Sequence, residues 1–118
     1  MKREKFYQKL IAWKKIDQLA RAIYLETKFF PKEEMYGLKS QLRRAALSVP
    51  TSIVEGVSRQ SKKETKHFLN IALGSLAETE YLLEFCFKEK FFTIQQFQNL
   101  EALRYEAGAL LWGMFKVL

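Results

Sequence analysis

Leu38-Lys39-Ser40-Gln41-Leu42-Arg43-Arg44-Ala45-Ala46-Leu47-Ser48-Val49-Pro50-Thr51-Ser52-Ile53-Val54-Glu55-Gly56-Val57-Ser58 repeats its apolar positions at intervals of three and four. Leu38, Leu42, Ala45, Ala46, Val49, Ile53 and Val57 thereby form one stripe on a helix of 3.6 residues per turn. Pro50 falls inside this stretch, where it lacks an N–H and its ring meets the carbonyl four residues back. The stripe keeps its phase across the proline, so the expectation is one kinked helix rather than two short ones. Ser48, Thr51 and Ser52 are placed to satisfy backbone groups freed there. Gly56, near the end, suits close packing or helix termination.

The same period extends to both sides. Upstream, Trp13, Ile16, Leu19, Ala20, Ile23 and Tyr24 mark a first helix over residues 6–29, while Lys14, Arg21 and Lys28 recur every seventh residue on another face. Pro31 stops it, and Lys32-Glu33-Glu34-Met35-Tyr36-Gly37 reads as the connection. Downstream, Ser61-Lys62-Lys63-Glu64 has the form of a capping box, so a third helix is expected over residues 62–88. Thr93-Ile94-Gln95-Gln96 is a second box. It opens a fourth helix carrying Phe97, Leu100, Leu103, Ala107, Leu110, Leu111, Met114 and Phe115. Four helices joined by short connections favour antiparallel neighbours. The expected fold is all-α, an up-and-down antiparallel four-helix bundle with a proline-kinked second helix, in one domain over residues 1–118. The third and fourth helices carry more apolar side chains than one inward stripe requires, with Trp112, Phe115, Val117 and Leu118 near the end. That surplus points to a protein interface.

Composition agrees with a folded helical chain. Of 118 residues, 48% are hydrophobic and 28% charged, enough for a core and too balanced for disorder. Five Gly and two Pro are few for a β-rich chain with many tight turns. Residues 1–5, Met-Lys-Arg-Glu-Lys, lead into a mixed amphipathic stretch and do not read as a signal peptide. No apolar run reaches the roughly 20 residues of a membrane span. The default compartment is the cytoplasm. The net charge of +7 is unevenly placed. Residues 1–60 hold 13 Lys and Arg against 6 Asp and Glu, and residues 61–118 hold 7 against 7. The surface field should therefore be lopsided.

Catalytic and metal chemistry find little to stand on. Glu64-Thr65-Lys66-His67 has the Glu-x-x-His spacing of carboxylate-bridged metal bundles, but that site needs two such motifs and His67 is the sole histidine. One Cys and one His do not make a zinc site. Cys86, among Leu82, Leu83, Phe85 and Phe87, reads as a small buried hydrophobe. There is no glycine-rich phosphate loop or nucleophile elbow. No cofactor and no enzymatic activity are expected.

Two polar clusters remain. Arg43 and Arg44 sit mid-helix, where one must lie nearer the apolar stripe. Arg44 is assigned to a structural polar core with Glu55 and Glu78 as carboxylate partners. Arg59, Lys62, Lys63 and Lys66 crowd the start of the third helix, where cations oppose the helix dipole and are available to a ligand.

The sequence also resembles a known family. Trp13, Pro31, Glu34-x-Tyr36-Gly37-Leu38, Gln41-Leu42-Arg43-Arg44-Ala45, Ser48-Val49-Pro50, Glu55-Gly56, Ser61-Lys62-Lys63-Glu64 and Gly74-Ser75-Leu76-Ala77-Glu78-Thr79 follow the pattern of the four-helix bundle proteins encoded within intervening sequences of bacterial 23S ribosomal RNA genes. The likeness covers nearly the whole chain and is most specific over residues 36–63. Ser52 stands where that family usually has Asn. The resemblance implies a kinked bundle assembling as a ring-like homo-oligomer, a pentamer. It also implies kinship with accessory proteins of diversity-generating retroelements, which bind a reverse transcriptase and nucleic acid. It supplies no activity. Gln41, Arg43, Arg44, Glu55, Gly56 and Lys63 match the pattern position by position.

The functional expectation is a non-catalytic nucleic-acid-binding accessory protein, with RNA favoured over DNA. Its phosphate contacts would be Arg43, Arg59, Lys62, Lys63 and Lys66, and Tyr36 is a candidate stacking residue. The alternative is a protein-interaction scaffold with a protein partner, recognisable by apolar surface on the third and fourth helices that stays exposed.

Overall fold

Three interruptions of the apolar pattern separate the helices. The computed structural model describes Tyr7 and residues 10–118. Within them lie α1 (Ile11–Glu26), α2 (Leu38–Val57), α3 (Lys62–Lys88) and α4 (Ile94–Lys116), with a 3₁₀ turn at Lys32–Glu34 and no strand among the described residues. The expected onset of the first helix at Phe6 and the opening residues 1–5 lie outside the described residues.

Helix α1 ends three residues earlier than its pattern suggests. Thr27, fully buried, turns its hydroxyl back to donate to the Ile23 carbonyl at 2.7 Å. Phe30 then packs against Phe91 and Phe92 of the α3–α4 connection, with ring centroids 5.4 and 5.2 Å away. One aromatic cluster therefore closes this end of the bundle. Gly37 gives α2 no side-chain cap, and the Glu34 carboxylate reaches forward to accept the Leu38 N–H at 3.2 Å.

Helix α2 runs through Pro50 without interruption from Leu38 to Val57. Of the three hydroxyls expected to serve the freed backbone, Thr51 donates to the Leu47 carbonyl at 2.8 Å. Ser48 instead pairs with Ser75 of α3, 2.9 Å apart. Gly56 answers to close packing: a Cβ there would lie 2.9 Å from Phe68 Cβ and 3.3 Å from the Thr65 carbonyl.

Only half of the first expected capping box forms. Ser61 Oγ accepts the Glu64 N–H at 3.1 Å, with no return bond from the Glu64 side chain among the described residues. The second box is complete: Thr93 Oγ1 accepts from Gln96 and Gln96 accepts from the Thr93 N–H. Between them α3 closes with Lys90 at φ 66°, Phe91 N–H donating to Cys86 and Lys90 N–H to Phe87. This is a Schellman ending with lysine in the left-handed position that glycine normally takes.

Each helix packs against two others, in the cyclic order α1, α2, α3, α4 and back to α1, with no diagonal contact among the described residues. Contacts fix the direction. Along α3, Lys66, Leu76, Glu80 and Phe87 meet Phe115, Gly108, Arg104 and Phe97, so α4 runs back beside it. Likewise Ser48 meets Ser75 and Gly56 meets Phe68, so α2 and α3 are antiparallel. The core gathers Ile16, Leu19, Ile23, Leu42, Ile53, Leu69, Leu83, Leu100 and Leu111, drawn from all four helices. At 1.5 Å per residue α3 is about 40 Å long, which sets the 43 Å long axis.

Candidate functional site

Arg43 and Arg44, adjacent in sequence, have opposite surroundings. Arg43 lies across the C-terminus of α1, its Nη2 donating to the Tyr24 carbonyl and its Nε to Thr27 Oγ1, both at 2.8 Å. Its guanidinium also sits 4.4 Å from the Tyr24 ring centroid. A cation on the last carbonyls of a helix completes their hydrogen bonding and complements the dipole. Arg43 is thus the structural arginine, and its expected role as a phosphate contact gives way to this one.

Arg44 is exposed, as are Glu55 and Glu78, and none of the three is ion-paired among the described residues. The polar core expected of them does not form within the chain. The helix pairing sets Glu55 level with Phe68, so Glu55 and Glu78 stand about 15 Å apart along the bundle. The best-shielded cation of the described ion pairs is instead Arg104, which sequence reasoning did not single out. It joins Glu80 of α3 at 3.0 Å and donates through Nε to Glu101 at 3.1 Å, with a second, very close bond from Nη2. The hydrogen bond to Glu101 outweighs partial burial and holds the guanidinium above its ordinary pKa.

The remaining four expected contacts lie along the α2–α3 connection and the first two turns of α3. Arg59 lies in the α2–α3 turn, and Lys62, Lys63 and Lys66 share a face of α3 through their i, i+3 and i, i+4 spacing. All four are exposed, and none is ion-paired to a carboxylate among the described residues. Two of them lie on rings. The Arg59 guanidinium is 4.6 Å from the Phe68 centroid, and Lys66 Nζ is 5.2 Å from that of Phe115. Phe115 in turn stacks on Trp112 at 5.5 Å and 24°, and Trp112 remains 53% exposed. The signal for this aromatic pair was its i, i+3 spacing just before Lys116. Arg43 belongs to the other end of α2, about 24 Å of helix rise from Arg59. Tyr36, 92% exposed before α2, is further still from the corner.

Beside Arg43 an open groove of about 790 Å³ runs between α1 and α2. Arg21, Lys28, Lys39 and Arg43 line it with Tyr24, Leu25 and Leu47, and Asp17 is bonded to Arg21 at 2.9 Å. His67 and Glu64 are both exposed, and no group of three or more potential metal ligands gathers among the described residues. No helix among them is long and apolar enough to cross a membrane. Cys86 is fully buried, and burial, with a smaller contribution from Glu34, pushes its thiol pKa up to about 11.

Comparison with known proteins places these features. A family model described as 23S rRNA-intervening sequence protein matches residues 8–113. Among solved structures, the chain is similar to a protein of unknown function from the S23 ribosomal protein family of Bacteroides thetaiotaomicron, with 26% identity and a TM-score of 0.80. The match covers 90% of this chain and 99% of that one. No curated protein matches the sequence significantly.

Proposed function

This chain belongs to the 23S rRNA-intervening sequence protein family, and we propose that it is a non-catalytic accessory protein binding nucleic acid, RNA before DNA, as a ring-like homo-oligomer of five copies. The observation that carries the reading is the corner of Arg59, Lys62, Lys63 and Lys66, exposed and without a carboxylate partner among the described residues. Lysines at a helix N-terminus oppose the dipole, so the corner gains little for the fold and much for a phosphate. A ring repeats it, and each repeated cation adds counterion release on a polyanion. Ile71, Tyr81 and Phe85, exposed on α3, are apolar surface for such an assembly to bury. With no recognisable RNA-binding motif, recognition rests on backbone and shape. The compartment is the cytoplasm, where ribosomal RNA is at hand.

The test is fluorescence anisotropy with a structured RNA and a duplex DNA, comparing the wild type with Lys62→Glu/Lys63→Glu/Lys66→Glu. Binding by the wild type and its loss in the folded variant support the proposal. A wild type that binds neither probe near physiological salt overturns it.

One observation favours a second reading, a scaffold for a protein partner. The α1–α2 groove sets Leu25 and Leu47 between Lys28, Lys39 and Arg43, a surface suited to an acidic amphipathic segment.

A further inference from the structure

Resting on the nucleic-acid reading, we propose that Trp112 is a stacking platform for unpaired nucleobases, which makes the α3–α4 face a site for single-stranded rather than duplex nucleic acid.

Phosphate contacts alone do not distinguish strands, because every polynucleotide carries them. What distinguishes an unpaired strand is the free face of its bases, and side chains that engage it are aromatic rings beside cations. The corner has that arrangement. Phe115 links the two halves: Lys66 lies 5.2 Å from its ring on one side, and Trp112 stacks against it at 5.5 Å. Lys62 and Lys63 are on the same face of α3 as Lys66, one turn earlier. Lys116 follows Trp112 by four residues, on the same face of α4, and is exposed. Lys66 and Lys116 thus flank the Trp112–Phe115 pair, and Lys62 and Lys63 lie one turn beyond Lys66. Glu64, exposed in the first turn of α3 with Lys62 and Lys63, is the one nearby carboxylate in the sequence of either helix end.

The charge also argues for the occupant. An indole held for an apolar partner protein would be bordered by mixed charge or by polar rim, whereas this one is bordered by cations and suits a polyanion that carries flat rings. Tyr105 extends the platform. It lies seven residues before Trp112 on the same helical face, about 10 Å along α4, and is 72% exposed. The acidic groups near it are ion-paired, Glu101 and Glu80 to the single Arg104, which leaves that cluster a net charge of −1, and Glu106 to Lys15 at 3.3 Å. A strand tracking from the corner along α4 therefore meets a second ring without crossing a free carboxylate from these three.

The experiment measures affinity for a short unstructured RNA, for its DNA counterpart, and for the same RNA annealed to its complement. It compares wild type, Trp112→Ala, Trp112→Phe and the triple Lys→Glu variant, each checked by circular dichroism. Tryptophan emission is followed on the wild type and on Trp112→Ala in parallel. Trp112→Ala is expected to weaken both single strands by roughly 5- to 150-fold, the range of one lost base stack. Duplex affinity should stay within about twofold, Trp112→Phe should restore most of the loss, and single strands should quench the wild-type emission. If Trp112→Ala leaves single-strand affinity and quenching unchanged while the triple variant loses all binding, the stacking inference is overturned and the phosphate corner stands. If no probe binds the wild type, the nucleic-acid reading itself fails and takes the inference with it. If Trp112→Ala changes the sedimenting mass rather than single-strand affinity, this face is a contact between copies and the inference is likewise overturned.

Discussion

At Gly56 there is room for a hydrogen and nothing larger. A methyl group would stand 2.9 Å from Phe68 Cβ, an atom fixed to the α3 backbone. Alanine favours a helix by about 1 kcal/mol over glycine, but forcing two packed helices apart costs about 1–3 kcal/mol. Gly56→Ala should therefore lower the urea midpoint, with a net loss of up to about 2 kcal/mol. The two arginines give a sharper residue-level prediction. Arg43→Met removes two charge-assisted bonds on the end of α1 and should lower stability by about 1–3 kcal/mol, whereas Arg44→Ala should stay within about 0.5 kcal/mol. Neither should change nucleic-acid affinity in the anisotropy assay. Sequence alone named the pair but not the roles. The deciding acceptors, Tyr24 and Thr27, lie 19 and 16 residues away on another helix, and the sequence carries no sign of that register. Cys86, by contrast, was legible from its apolar neighbours. Its thiol pKa is raised from 9.0 to about 11, so the folded state holds the neutral form while an unfolded chain ionises. Stability from this group is complete below pH 9 and is lost as pH rises toward about 11. A urea titration across that window should show a steeper fall than in Cys86→Ala.

Among the elements, the ends of α3 are the least favourable for the fold. Lys90 adopts φ 66° in the Schellman ending, a conformation glycine enters without a Cβ penalty. Lys90→Gly should raise stability by about 0.5–1 kcal/mol, read from thermal unfolding. At the other end, Lys62 and Lys63 stand in the first turn with their charges against the dipole. Replacing them and Lys66 with Glu should stabilise the helix by about 1 kcal/mol, so the binding-null variant is expected to melt higher than wild type. A variant that melts lower would mean that the lysines make contacts the fold needs. Helix number and order were readable from four apolar stripes and two Ser/Thr-x-x-Glu/Gln signals. The exact ends were not. Helix α1 stops at Glu26 because a buried threonine and an arginine from α2 take its carbonyls, and Ser61 caps α3 without the reciprocal glutamate bond.

For the whole molecule, the antiparallel order sets two basic groups in separate places, one drawn from the first half of the chain and one mostly from the second. Arg21, Lys28, Lys39 and Arg43 line the groove between α1 and α2, while Arg59 joins Lys62, Lys63 and Lys66 where α2 turns into α3. The grouping of the three lysines was legible from helical spacing. The aromatic backing was not, because Phe115 and Trp112 reach that corner only once α4 has run the length of the bundle back to the start of α3. The central claim is that this corner holds nucleic-acid phosphates, and the most direct test is the salt dependence of binding. Log affinity for a structured RNA, measured by anisotropy against log salt concentration, should fall linearly for the wild type. In Lys62→Glu/Lys63→Glu/Lys66→Glu the slope should be shallower by about one unit for each lysine that meets a phosphate. The same slope in both proteins, or a wild-type affinity indifferent to salt, would contradict it.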